Sequence, residues 1–274
     1  MKVLFIAWQD PATRDWIPVG RLARQGGLYM FQYTKGAKRS KNFEPFGWMR
    51  DLNSLYLSEK LFPLFANRIL PKSRPEYRDY LRWLGLDATE YDELDLLARS
   101  GGVRATDTLE IFPCPAPDKN GMYVGYFFCH GLRYLAPENR ARVMSMKSGD
   151  RLYLMQDLQN RFDQTALVLR TDDPVSFVGY CPRYYSTAFT QLLKKVDPKR
   201  VTVQAERVSL DAPSNLSVLC KLVAPWPKKF APCTTGLFSG LAKVRKSKSS
   251  RRSSKKQVGK KGHDRSANGR RIAT

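Results

Sequence analysis

The stretch Asn160-Arg161-Phe162-Asp163-Gln164-Thr165-Ala166-Leu167, followed by Val178-Gly179-Tyr180-Cys181-Pro182-Arg183, decides how the chain is read. The first piece passes from polar turn residues into a strand candidate over 165–170. The second contains a strand candidate over 177–180 and leads toward a helix. Outward from this pair, 123–129 and 151–156 are strand-like, and 201–207 with 216–223 form a candidate closing pair. Phe189, Leu192 and Leu193 have helical spacing within 186–195. Several short strands around one or two helices describe a small barrel-like β domain over 122–226.

Upstream, Pro113-Cys114-Pro115-Ala116-Pro117-Asp118-Lys119-Asn120-Gly121 reads as a connector, with 114–121 as the linker proper. Residues 1–113 alternate strands and helices, an α+β pattern. A strand is expected over 3–8, and a hairpin over 20–33 turns at Gln25-Gly26-Gly27. Helices are expected over 58–69 with Ser58 as N-cap, over 74–85 with Pro75 in the first turn, and over 92–99 before Gly101-Gly102. A strand over 108–112 closes the region. The chain as a whole therefore reads as α+β: an α+β domain, a linker, a β domain and a tail.

Charge singles out the tail, 227–274. The 274 residues carry 47 Lys+Arg against 25 Asp+Glu, a net charge of +22. From Lys228 onward stand 15 basic residues and one acid, which leaves 32 against 24 for residues 1–227. With so little to bury, this tail is expected to be disordered. Lys243, Arg245, Lys246, Lys248, Arg251, Arg252, Lys255 and Lys256 are its candidate phosphate ligands. No Leu, Phe or Trp interleaves with those charges, so nucleic acid is favoured over a membrane surface. The five cysteines are scattered without a CxxC pair, which argues against a disulfide framework and against a zinc ribbon. The apolar run 2–8 is too short for a secretory leader, and nothing approaches a membrane span. A soluble cytoplasmic protein is expected, associated with the nucleoid in a bacterium or nuclear in a eukaryote.

The middle segment resembles the HIRAN family over about 100 residues. The resemblance rests on Gly131-Leu132-Arg133-Tyr134 after a first strand and on Gly149-Asp150-Arg151-Leu152-Tyr153-Leu154. It continues through 160–167, which parallels Asn-Pro-x-Asp-x-Asn-Ala-Ile, and 178–183, which parallels Val-Gly-Tyr-Leu-Pro-Arg. It implies capture of single-stranded DNA at a free 3′ end, and the chemistry fits. An end reader needs an aromatic face, an acceptor for the terminal hydroxyl and a cation for the nearby phosphate. Tyr134 and Phe162 offer the faces, Asp163 the acceptor and Arg133 the cation, with Asn160 and Tyr180 adding hydrogen bonds. Asp163 would also repel a terminal phosphate. Structural alternatives stand beside each role: Asp163 closing a turn, Phe162 in the core, Tyr180 packed on the following helix. Arg161 and Thr165 depart from the family pattern, and Phe162 brings stacking without a polar group.

Residues 1–113 resemble the N-terminal subdomain of HipA-type kinases. The likeness runs through Trp8, Val19-Gly20-Arg21-Leu22, Tyr29-Met30-Phe31-Gln32-Tyr33, the helix after Leu61, Tyr77-Arg78-Asp79-Tyr80-Leu81 and Leu96-Leu97-Ala98-Arg99-Ser100-Gly101-Gly102. That resemblance implies a protein-contact role, with a HipA-type kinase as partner in a toxin–antitoxin or phage-defence setting. The kinase's phosphate loop, strand lysine and catalytic loop have no counterparts in the sequence. No catalytic residue, cofactor or metal is expected, although scattered acids such as Asp118, Asp150, Asp157 and Asp163 keep a metal-dependent nuclease as an alternative. Arg74, Arg78 and Arg82 recur at helical spacing, either as a line for a phosphate backbone or as a solvated face.

Overall fold

Gly26 and Gly27 both take positive φ, 58° and 83°. They form the two-residue turn whose twist suits paired antiparallel strands. The computed structural model, which describes residues 2–86, 90–234 and 236–242, thus joins β2 (Trp16–Gln25) to β3 (Leu28–Tyr33) as the sequence predicts. With β1 (Val3–Gln9), β4 (Leu55–Ser58) and β5 (Leu109–Pro113) they make an antiparallel sheet in the order β4-β3-β2-β1-β5.

β1 explains why its sequence is an unbroken apolar run. Successive strand side chains face opposite ways. Leu4 and Ile6 enter a core with Phe31, Phe62, Phe65 and Leu97, while Phe5 and Ala7 enter a second core shared with the rest of the chain. β5 repeats the division: Leu109 and Ile111 face the first core and Phe112 the second. Each large apolar side chain buried this way contributes about 1.5–3 kcal/mol. Residues 2–242 are therefore bound together through the second core, and the stretch 114–121 connects halves that pack on each other.

The second sheet runs β6-β11-β10-β7-β8-β9, all antiparallel, from β6 (Met122–Phe128), β7 (Arg151–Gln156), β8 (Leu167–Arg170), β9 (Phe177–Tyr180), β10 (Thr202–Val208) and β11 (Val218–Pro225). It curls until its two edges meet. His130, just past β6, and Tyr180, at the end of β9, exchange N–H···O bonds of 2.9 Å in both directions. Gly179 permits this closure. Its φ is 146°, and a Cβ there would lie 2.5 Å from both the Cys129 sulfur and the His130 carbonyl oxygen. Inside the curl lie Tyr123, Phe127, Leu169, Val178 and Leu222. Helix α5 (Arg183–Lys195) plugs the open side: Phe189 packs on Phe127, and Tyr184 stacks on Phe112 at 4.6 Å across to the first sheet.

Several expectations shift. The helix expected over 58–69 shrinks to α1 (Pro63–Ala66), because proline lacks the N–H of a helix interior and Ser58 instead ends β4. The helix expected over 74–85 is α2 (Tyr77–Leu84), closed by Gly85 in the left-handed region. α3 (Glu93–Ser100) carries the reciprocal Asp92–Asp95 cap. A helix α4 (Pro137–Ser145), with Pro137 in its first turn, was not foreseen. Part of the stretch 227–242, assigned to the tail by composition, packs against the folded chain. Phe230 is buried beside Trp226, Phe238 meets Phe5 edge-on at 4.8 Å, and Gly240 pairs with Thr34 in the first sheet. These apolar residues are diluted by neighbouring Lys228 and Lys229, which hid them in the composition. Among the described residues no helix is long and apolar enough to cross a membrane.

Glu110 is the one acid β5 turns toward the second core. Burial raises its carboxyl above the ordinary range, opposed by His130 and the neighbouring Tyr184 hydroxyl. The folded chain then holds this proton more tightly than the unfolded one, so the contribution of Glu110 to stability is most favourable at low pH and is lost as pH rises. Glu110→Gln should therefore raise Tm at pH 8 by a few degrees, with the gain vanishing near pH 4 in thermal melts. Gly179→Ala should cost about 2–4 kcal/mol in urea unfolding, since its Cβ cannot fit without opening the His130–Tyr180 closure.

Candidate nucleic-acid interface

The loop between β7 and β8 sits beside that closure, and its own side chains shape it. Asn160 Oδ1 accepts the N–H groups of Phe162 and Asp163, each at 3.0 Å, and Asn160 Nδ2 donates to Asp157 at 3.0 Å. Asp163 Oδ1 then accepts the Thr165 N–H at 2.9 Å and the Thr165 hydroxyl at 2.7 Å. Two consecutive side-chain-closed turns result. They explain why β8 starts at Leu167, two residues later than expected. They also hold Phe162 outward, 72% exposed, so the ring is not part of the core.

Tyr180 donates its hydroxyl to Asp157 Oδ2 at 2.9 Å, and its ring meets Phe177 edge-on at 5.3 Å. Hydrogen bonds from Asn160 and Tyr180 hold the Asp157 carboxyl below the ordinary range. Burial, reinforced by Asp157, pushes the Tyr180 phenol up. Arg183, the first residue of α5, gathers three partners. Its Nε lies 3.7 Å from Asp163 Oδ2, its Nη2 3.3 Å from Asp15, and its Nη1 donates to the Arg14 carbonyl at 2.6 Å.

Asn160, Phe162, Asp163 and Tyr180 thus come together in a cleft of about 370 Å³, which Gln9, Arg14, His130, Gly131, Ala166, Cys181 and Arg183 complete. Arg133 and Tyr134 lie around a corner. They line an adjacent cavity of about 290 Å³ together with Arg99, Glu110, Tyr126 and Tyr184. His130 and Gly131 line both, forming the wall between them. Tyr134 is 76% exposed, with the Arg133 guanidinium 4.7 Å from its ring centroid. The guanidinium lies over the ring as a cation–π pair.

Sequence reasoning did not assign Asp157 or Arg183 to the site, although both stand within or beside the quoted motifs. Gln9, Arg14 and Asp15 had no local signal, because they belong to the other half of the chain. The line Arg74, Arg78, Arg82 does not hold together. Arg74 precedes α2, and Arg82 is engaged with Asp79 and Asp211. Residues Lys243, Arg245, Lys246, Lys248, Arg251, Arg252, Lys255 and Lys256 lie outside the described residues. All five cysteines are free; burial pushes the Cys129 thiol up to about 12. Among the described residues no group of three or more His, Cys, Asp or Glu is placed to hold a metal ion.

A curled six-stranded sheet with an aromatic, hydrogen-bonding cleft at its seam defines a small β-barrel binding module. The profile of the HIRAN domain family matches residues 122–227, so this part of the chain is similar to HIRAN domains. Two solved structures are similar to it. One is a protein from Lactobacillus plantarum, 18% identical, covering 38% of this chain and 96% of its own, with a TM-score of 0.29. The other is the HIRAN domain of human HLTF, 16% identical, covering 38% of this chain and 72% of its own, with a TM-score of 0.27. No curated protein matches the chain. The family match begins at residue 122, so the likeness of residues 1–113 to a HipA subdomain gains no support from it.

Asn160 carries two backbone N–H groups of the loop. Asn160→Ala should therefore speed amide hydrogen exchange at Phe162 and Asp163 by at least tenfold, about 1.4 kcal/mol of lost local order, while β10 and β11 amides keep their protection.

Proposed function

We propose that the cleft at the barrel seam captures the 3′-hydroxyl end of single-stranded DNA. One observation carries the reading: an exposed Phe162 ring is fixed beside a carboxylate, Asp163, that keeps an acceptor free. Asp163 Oδ1 is used by Thr165, whereas Oδ2 has only the 3.7 Å approach of Arg183. A terminal hydroxyl can donate to that oxygen while the last base stacks on Phe162. A terminal phosphate would meet a negative carboxylate and be repelled. Tyr134 and Arg133, beyond the shared wall, take the preceding base and phosphate. The basic tail adds sequence-blind contacts that fall steeply with salt. Asp163 doubling as a turn residue supports the role, because the turn fixes where Oδ2 points. The reading assigns binding and no catalysis to these residues, and it places the protein with DNA in the cytoplasm of a bacterium.

A second reading concerns residues 1–113 as the contact site for a protein partner of HipA-kinase type. What favours a protein contact is the edge strand β4, whose Leu55 and Leu57 stay exposed near an exposed Trp48. An adjacent gene encoding a HipA-type kinase core would support it.

The end-capture test compares fluorescence anisotropy of a short labelled strand ending in a 3′-hydroxyl with the same strand ending in a 3′-phosphate. A basic tail can favour only the more negative 3′-phosphate strand, so a preference for the hydroxyl end reports the cleft. The hydroxyl end should bind at least tenfold tighter, and Asp163→Asn should bring the ratio close to one. Phe162→Ala should weaken the hydroxyl end by about 5- to 100-fold, the worth of one stacked base. Equal affinities for the two ends in the unsubstituted chain would overturn the reading.

A further inference from the structure

We propose that the loop joining β1 to β2, residues 10–15 of the first sheet, is a phosphate subsite of the same cleft, with Arg14 as its ligand. The proposal rests on the end-capture reading and extends it to a part of the chain outside the HIRAN match.

The loop is built with care for a surface turn. Asp10 is 4% exposed; its Oδ1 accepts the Ala12 N–H at 2.9 Å and the Asn42 amide at 3.3 Å. The Asp10 N–H donates to the Asp15 carbonyl at 2.9 Å, and the Arg14 N–H donates to the Asp10 carbonyl at 2.8 Å. The Arg14 carbonyl in turn accepts from Gln9 Nε2 at 3.2 Å and from Arg183 Nη1 at 2.6 Å. Arg183 is the residue that also approaches Asp163, so one guanidinium ties the loop to the carboxylate that would receive the strand's end.

Two features of Arg14 point to a ligand. Its φ is 62°, the left-handed region where a β-carbon costs about 1 kcal/mol and glycine would sit unstrained. Arginine stands there at that backbone cost, so its side chain is the feature that sets this position apart from a glycine. Its charge is also uncommitted. Among the described residues, Arg183 is shared between Asp15 and Asp163, whereas no acid lies within salt-bridge distance of the Arg14 guanidinium. Arg14 is exposed and lines the same cleft as Gln9, Phe162 and Asp163. A guanidinium there meets the backbone phosphate next to the captured end and offsets the repulsion that Asp163 exerts on the strand.

The test uses the full chain and a short labelled oligothymidylate with a 3′-hydroxyl. Arg14→Gly removes the side chain while keeping the backbone conformation without strain, so its thermal melt should match or exceed that of the unsubstituted chain. Its affinity should fall about fivefold, and its plot of log affinity against log salt should become shallower by about 0.7, the share of one phosphate on a single strand. Arg14→Lys should recover most of both, and the preference for the 3′-hydroxyl should persist in each variant. Unchanged affinity and salt slope in Arg14→Gly, with the 3′ preference intact, would sink this proposal and leave end capture standing. Loss of the 3′ preference in the unsubstituted chain would instead sink end capture and the subsite with it.

Discussion

The paired hydrogen bonds between His130 and Tyr180 are what the rest of the molecule is arranged around. They turn an open six-stranded sheet into a curled one, and they do so at the residues that form the wall of the candidate site. On one side of that wall lie Asn160, Phe162, Asp163 and Tyr180; on the other lie Arg133 and Tyr134. The closure exists because residue 179 has no side chain, so the fold and the site depend on the same missing atom. Tyr180 serves both purposes: its backbone makes the seam and its hydroxyl fixes Asp157, which in turn steadies Asn160.

The β domain was largely legible in the sequence because its signals are local. Short runs such as Leu167–Arg170 and Phe177–Tyr180 are apolar stretches between turn-forming neighbours, and all six strands appear within two residues of their expected limits. The Asn160–Thr165 turns were readable for the same reason, since Asn and Asp bond their own backbone a few residues on. The helix expected over 58–69 failed where two local signals conflicted. Its apolar spacing argued for a helix, but Pro63 allows one only from that point onward, and Ser58, expected as the N-cap, instead ends β4 by pairing with Tyr29 of β3.

The relation between the halves was not legible. Composition marked 114–121 as a linker between domains, whereas in the structure this stretch joins two sheets that share one core. Nothing in the local pattern states that Phe5, Ala7 and Phe112 face away from their own sheet's core toward Tyr184 and Tyr185. The same limit hid Arg14 and Gln9, which reach the cleft only because the two sheets pack together, and Asp15, which pairs with Arg183 for the same reason. Arg183 was quoted in a motif, yet its job is to join that motif to a loop 168 residues away along the chain.

The stretch after β11 has a mechanical meaning. Having left the barrel at Pro225, the chain crosses back to the first sheet, where Lys35 donates to Ser239 at 2.8 Å and Leu241 donates to Tyr33 at 2.9 Å. The segment after the barrel therefore acts as a strap: backbone pairs, and not side chains alone, fasten the end of the second sheet's chain to the rim of the first, so the two sheets cannot separate without breaking them.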